Sequence, residues 1–311
     1  MSGLIGPPAN CPGAFHFGLS DTHSFTALLV SRLTRTACIM NMRHQTRPAQ
    51  QCQKETRGSV AVYREKSRWG FLSSKVAIVT GSSSGIGRAI AERLAREGAT
   101  EVVNYHMNEA KAREVADEIQ SGGGTALVIQ ADMSRVADAQ RLVQETVKQF
   151  DRLDILVNNA GRFMPKPMVE TTEAEFDAIM ALNAKGPYFA MQAAARVLND
   201  GGRIVNISTG LTHVKFPGAT AHLGSKAALE QYGKGLAQEL APRGITVNTV
   251  LPGFTDTGVL TEQSRQAGIL MSPLKRLGLP TDIADVVAFL VSEQAQWLTG
   301  QNIHAGGGLV M

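Results

Sequence analysis

The chain has 311 residues, 43% of them hydrophobic and 19% charged, which suits one or two globular domains with an ordinary core. No run approaches the ~20 continuous apolar residues that span a bilayer. The net charge of +4 is uneven: nine Lys/Arg against three Asp/Glu fall in residues 1–74, which leaves 22 against 24 for the rest. That remainder carries no basic stripe interleaved with aromatics, so neither nucleic acid nor membrane is an expected partner.

Residues 1–74 show no sustained helical or strand period. Three readings stand side by side. The acid-poor, Arg-containing stretch 24–47 fits an organelle transit peptide loosely. The segment equally fits a disordered tail. Or translation begins later, at Met40 or Met42. The expected localisation is cytoplasmic, or mitochondrial if a transit peptide is present. Cys11, Cys38 and Cys52 all lie in this segment. The remainder therefore holds no disulfide framework, Cys-based metal site or Cys nucleophile, and no metal is expected.

From Lys75 strand and helix patterns alternate, which predicts an α/β fold with a doubly wound parallel sheet in one domain, residues 75–311. The first strand is 76–79, with a helix from 85 to about 97 that Gly98 closes. Strand 102–104, helix 109–120, strand 126–129, helix 137–149 and strand 155–157 follow. A fourth helix starts near Thr172, where Thr172 and Glu175 make a capping box, and runs through Asn183 to about residue 197. Strand 204–207, a loop at 210–220 and a helix to about residue 240 come next. After strand 246–250, a long loop over 252–280 reads as a lid. A helix over about 281–291 and a strand near 302–304 end the chain.

The stretch Thr80-Gly81-Ser82-Ser83-Ser84-Gly85-Ile86-Gly87 joins the first strand to the first helix. Strand, glycine turn and helix make a dinucleotide-phosphate site. Gly81 permits the tight turn, Gly85 lets backbone N–H groups approach phosphate oxygens, and Gly87 lets the helix pack on the strand. The helix N-terminus adds partial positive charge.

Further patterns coincide with this turn: Asn158-Asn159-Ala160-Gly161 after the fourth strand, Asn183 inside the fourth helix, Pro252-Gly253 after the sixth strand, and Thr257 four residues later. Together they resemble the short-chain dehydrogenase/reductase family, in the branch of beta-ketoacyl reductases and glucose dehydrogenase-like enzymes, over residues 75–311. The resemblance implies a Rossmann-type fold and a nicotinamide dinucleotide cofactor. Gly81, Ser83, Ser84, Gly85, Ile86 and Gly87 would hold the pyrophosphate. Asp132, with Met133, would contact the adenine. Asn159 would brace the fourth strand on the ribose side, and Lys226 would hold the nicotinamide ribose. Pro252, Gly253, Thr255 and Thr257 would border the nicotinamide and phosphate edge. Homodimers or homotetramers pairing through the fourth and fifth helices are also implied.

NAD-specific members place a carboxylate at the end of the second strand to accept the ribose 2′-OH. Here Tyr105 and His106 stand there, so NADP(H) is favoured over NAD(H). Arg88 either adds charge from the helix start or is a solvated helix residue.

The family's chemistry, by the same resemblance, uses a Tyr as proton donor, a Lys four residues later, a Ser thirteen residues before the Tyr, and an Asn in the fourth helix that holds a water. Asn183 and Lys226 match. The Tyr position is His222 and the Ser position Thr209. Thr209 keeps a hydroxyl. Imidazole is shorter than phenol, and Lys226 disfavours its charged form, so His222 is expected neutral and a poor acid. Tyr232 lies off its helical face, Tyr188 is expected to pack, and Ser208 to face away from Thr209. His213 and Lys215 are candidate compensating acids or plain loop residues. Two functions remain: an NADP(H)-dependent oxidoreductase interconverting a carbonyl and an alcohol on a small molecule, or the same scaffold without that redox step, acting as a lyase, isomerase, cyclase or binding subunit.

Overall fold

The computed structural model describes residues 70–310. The readings of the N-terminal segment up to residue 69, with its cysteines and alternative start sites, lie outside the described residues. Gly70 to Ser74 belong with the fold rather than with that segment. Leu72 is only 2% exposed, and its N–H donates to the Glu97 carbonyl at 2.8 Å.

Seven parallel strands form one sheet in the order β3-β2-β1-β4-β5-β6-β7. They are β1 (Val76–Val79), β2 (Thr100–Tyr105), β3 (Thr125–Gln130), β4 (Ile155–Asn158), β5 (Arg203–Ile207), β6 (Thr246–Pro252) and β7 (Asn302–Ala305). Strands β1, β4 and β6 are buried along their whole length, as in a sheet covered on both faces. The order reverses direction between β1 and β4, which opens a crevice at the carboxyl ends of those strands.

Helices α1 (Gly85–Arg96), α2 (Glu109–Ser121) and α8 (Pro280–Val291) cover one face, and α3 (Val136–Phe150), α5 (Gly186–Val197) and α6 (Thr220–Leu240) the other. Each layer has its own core. Ile90, Leu94, Val115, Ile283 and Val287 fill the first, and Leu142, Leu156, Met191, Ile204 and Leu229 the second. No helix among the described residues is long and apolar enough to cross a membrane.

Two expectations need correction. The fourth helix is not continuous: α4 (Glu173–Met180), begun by the Thr172–Glu175 capping box, passes into a π-helical turn, Ala181–Lys185, before α5 starts. Pro187 in the first turn of α5 lacks an N–H, which loosens the ladder there. Gly186 fits because a side chain there would strike the Met133 carbonyl. The long loop over 252–280 is likewise not structureless. It contains α7 (Glu262–Met271), capped by the Thr261 hydroxyl and tied to the stretch before it by Arg265 on Asp256 at 2.7 Å. Mixed Gln, Ser and Gly content hid its period.

Candidate active site

The glycine turn is built by its neighbours. Gly81 and Gly85 have φ of +64° and +57°, the left-handed region that a Cβ disfavours. A Cβ on Gly87 would meet the Asn159 amide and the Gly81 carbonyl. Thr80 welds the ends of β1 and β4: its Oγ1 accepts from the N–H groups of Asn159 and Ala160 at 2.9 and 3.0 Å. Asn159 returns its Nδ2 to the carbonyls of Thr80 and Gly81.

Asn104, at the end of β2, is a turn-holding residue that its place in an apolar strand concealed. Its Oδ1 accepts from Gly81 N–H at 3.0 Å, and its Nδ2 donates to the carbonyls of Ile129 and Ala131.

An open cleft runs from this turn across the carboxyl ends of the strands. Gly81, Ser83, Ser84, Gly85, Ile86, Gly87, Asn159 and Thr257 border its middle. Tyr105, His106, Asp132 and Met133 border one end, and Lys226, Pro252, Gly253 and Thr255 the other, with Thr209 and His222 beside them. Every sequence-derived dinucleotide residue thus faces one cleft. Thr257 leans towards Gly85. Asp132 is partly committed to its own turn, where Ser134 donates both N–H and hydroxyl to Oδ1. Burial opposes its charge, but these bonds hold the carboxyl below its ordinary value. Arg88 does not line the cleft. It is paired with Glu92 and Glu118 at 2.6 and 2.7 Å, so the reading of added charge at the helix start is withdrawn. His106 remains the basic side chain at that end, with Nε2 3.6 Å from Asp132.

Asn183 does not line the cleft either; it is fully buried behind it. The π turn aims its amide at the Arg162 backbone. Oδ1 accepts from Arg162 N–H at 2.9 Å, and Nδ2 donates to the Arg162 carbonyl at 3.0 Å and to Ser225 Oγ at 3.1 Å. A side chain at Gly161 would crowd Lys226 Nζ and Asn183 Oδ1. Lys226 donates from Nζ to the Ile207 carbonyl at 2.8 Å. Burial lowers its proton affinity to about pH 8, partly countered by Glu230.

His222 is 4% exposed. Its Nδ1 stands 3.1 Å from the Arg162 carbonyl, which can only accept. The Asn183 amide also approaches Nδ1, at 3.3 Å, but its two protons have shorter partners in Arg162 and Ser225. The proton of the neutral ring therefore sits on Nδ1, and Nε2 carries the lone pair. Burial and then the Lys226 charge push the ring down to about 4. A neutral His222 agrees with the expectation, and the tautomer is new.

Thr209 Oγ1 accepts from Leu211 N–H at 3.3 Å, which leaves its own proton free to donate. Ser208 does face away, donating to Glu230 at 2.6 Å. His213 is held by Glu230 at 3.0 Å, and neither it nor Lys215 lines the cleft, so both fail as compensating acids. Tyr188 and Tyr232 stack edge to face on each other, 5.1 Å between ring centroids, outside the cleft. Phe163 was missed in the sequence for want of any motif. Its ring stands 4.9 Å from that of His222, with Phe216 and Phe254 continuing the row at 6.4 and 6.5 Å.

Residues 81–310 match the model of the family described as enoyl-(acyl carrier protein) reductase. An uncharacterised oxidoreductase of Methylorubrum extorquens is 45% identical over 244 residues, 76% of this chain and 98% of its own length. A short-chain dehydrogenase/reductase of Aspergillus aculeatus is 40% identical over 253 residues, covering 76% and 96%. Among solved structures, the angucycline C-6 ketoreductase LanV with bound NADP superposes with a TM-score of 0.76 at 43% identity, covering 78% of this chain and 98% of that one. Rossmann-type sheet, glycine turn and relatives agree: this chain belongs to the short-chain dehydrogenase/reductase family.

Proposed function

We propose that this protein is an NADP(H)-dependent oxidoreductase that interconverts a carbonyl and an alcohol on a small organic molecule, with His222 at the proton-transfer position. The carrying observation is that Thr209, His222 and Lys226 border the same cleft as the glycine turn. The turn fits a pyrophosphate, since Gly81, Gly85 and Gly87 let the chain pass close to Ala160, Thr257 and Asn159 and bring the N-terminus of α1 to the cleft. Tyr105 and His106 rather than a carboxylate at the end of β2, and the NADP in LanV, support NADP(H) over NAD(H). Bound there, the cofactor supplies or accepts a hydride.

The chain's own groups handle the proton. Thr209 donates a hydrogen bond to the substrate oxygen and orients it. In alcohol oxidation, His222 Nε2 accepts the hydroxyl proton as the carbonyl forms. In reduction, the same nitrogen must first be protonated, then give that proton to the new alkoxide oxygen. The Lys226 ammonium stabilises negative charge on the substrate oxygen and binds hydroxyls nearby. Asn183 acts through Arg162, whose carbonyl fixes the His222 tautomer. Phe163, which lines the cleft beside His222, favours a flat apolar substrate.

The test uses full-length protein: NADPH titration by fluorescence, then NADPH oxidation with a panel of ring ketones and NADP⁺ reduction with the matching alcohols. Turnover that falls by about a hundredfold in His222→Ala supports the reading, a loss of the size general acid–base catalysis supplies. Tight NADPH binding with no turnover in either direction defeats it in favour of the non-redox scaffold, which the neutral His222 would then explain.

A further inference from the structure

Behind the cleft lies a buried carboxylate that the proposed chemistry leaves unused. Glu230 sits one helical turn after Lys226 on α6 and is 3% exposed. Four side chains from three other parts of the fold converge on it. Ser208, just past β5, donates to Oε1 at 2.6 Å, and Thr212, in the turn Gly210–His213, donates to the same oxygen at 2.8 Å. His213 Nε2 stands 3.0 Å from Oε2, and Asn302 on β7 donates to Oε2 at 2.9 Å. Four donors fill the acceptor sites of the carboxylate. Lys226, four residues back on the same helix, stands one turn away, with its Nζ on the Ile207 carbonyl rather than on Glu230.

We propose that Glu230 is a positioning residue for this site: the buried counter-ion of Lys226 and the tie that sets β5, the Thr209 turn and β7 around it. The carboxylate touches neither substrate nor cofactor. It acts on the ammonium through space and on Thr209 through Ser208 and Thr212, which flank the Thr209 turn. The titratable groups facing it among the described residues are Lys226 on its own helix, His213 beside the Thr209 turn, and His304 on β7, whose ring stands 4.8 Å from that of His213. His304 is held below its ordinary value by burial and by His213. Of the three, Lys226 is the one whose charge the site uses.

The experiment reads Lys226 directly, without cofactor or substrate. Full-length protein isotope-labelled at lysine Cε is titrated by NMR through the neutral and alkaline range, with Lys226→Arg identifying the resonance. In Glu230→Gln, which keeps the shape and removes the charge, the Lys226 midpoint should fall by about one pH unit. Glu230→Asp keeps the charge and should stay closer to wild type. The alkaline limit of NADPH binding should move with the midpoint. Where Glu230→Gln does not fold, Glu230→Met, uncharged and of similar length, replaces it. An unchanged midpoint in the folded neutral variant overturns the proposal. So does a midpoint that moves as far in Asp as in Gln, which marks a purely structural role. Because the reading rests on Lys226 alone, its failure is distinct from failure of NADPH binding or turnover.

Discussion

At His222 the protonation state decides what the residue can do. Its proton affinity is pushed down to about 4 from an ordinary 6.5, so the ring is neutral near pH 7 and its free nitrogen accepts. On the proposed chemistry reduction needs the imidazolium, so the reductive rate should rise about tenfold for each pH unit lowered, from neutrality towards about 4. Alcohol oxidation uses the neutral ring and should stay level from about 4 until Lys226 loses its charge near 8. Stopped-flow pH profiles in both directions check this, and a reductive rate independent of pH would refute it. The same shift bears on stability. Between 6.5 and about 4 the unfolded chain binds a proton at His222 that the folded chain does not, so stability falls as the pH drops through that window. The loss should be about 3 kcal/mol, and urea melts of His222→Gln should lack it. Lys226 shows the converse. Its folded value of about 8 lies below the ordinary 10.5, so its buried charge costs stability at neutral pH and the cost is relieved as the pH rises through that window. Lys226→Met should abolish turnover and remove this gain in stability on the alkaline side; a gain that persists in the variant would contradict this account.

At the scale of elements, close backbone approach governs the site. The π turn Ala181–Lys185 rotates α5 against α4 and turns Asn183 inward. It works only because Gly186 lets α5 meet the Met133 carbonyl. Gly186→Ala would drive a methyl into that oxygen and should cost about 3 kcal/mol, as overpacking in a tight core does. Thermal denaturation measures it, and a wild-type melting curve would show that α5 can shift freely. Strand β2 carries its own burden in Glu101, fully buried with no hydrogen-bond partner among the described residues. Burial alone raises its carboxyl well above the ordinary range. Its folded value lies above the unfolded one, so its contribution is present at low pH and lost as the pH rises.

Across the whole molecule, the cleft gathers the ends of β1, β2, β4, β5 and β6, so a ligand lying in it ties together chain segments far apart in sequence. A ligand that binds only this folded arrangement stabilises it by mass action. NADPH at a hundred times its dissociation constant should add about 2.7 kcal/mol, or roughly 5–10 °C in melting temperature for a domain of this size. A scanning fluorimetry titration reads this, with NADH expected to give the smaller shift at equal concentration. Equal shifts would remove the argument for NADP(H) drawn from Tyr105 and His106.

The order of strands and helices, the parallel sheet and the glycine turn were legible in the sequence, because each depends on local pattern: apolar runs, helical spacing, and a turn that only glycine accommodates. The resemblance also pointed to His222, four residues before Lys226, because spacing along one helix is a local property. The lid helix α7 and the π turn were not, because weak or mixed periodicity is resolved only by what packs against it. The His222 tautomer, the withdrawal of Arg88 into pairs with Glu92 and Glu118, and the convergence on Glu230 of Ser208, Thr212, His213 and Asn302 were decided by tertiary structure alone. Each depends on a partner from a distant part of the chain, and hydrogen bonds and charges act over ångströms in space, not along the sequence.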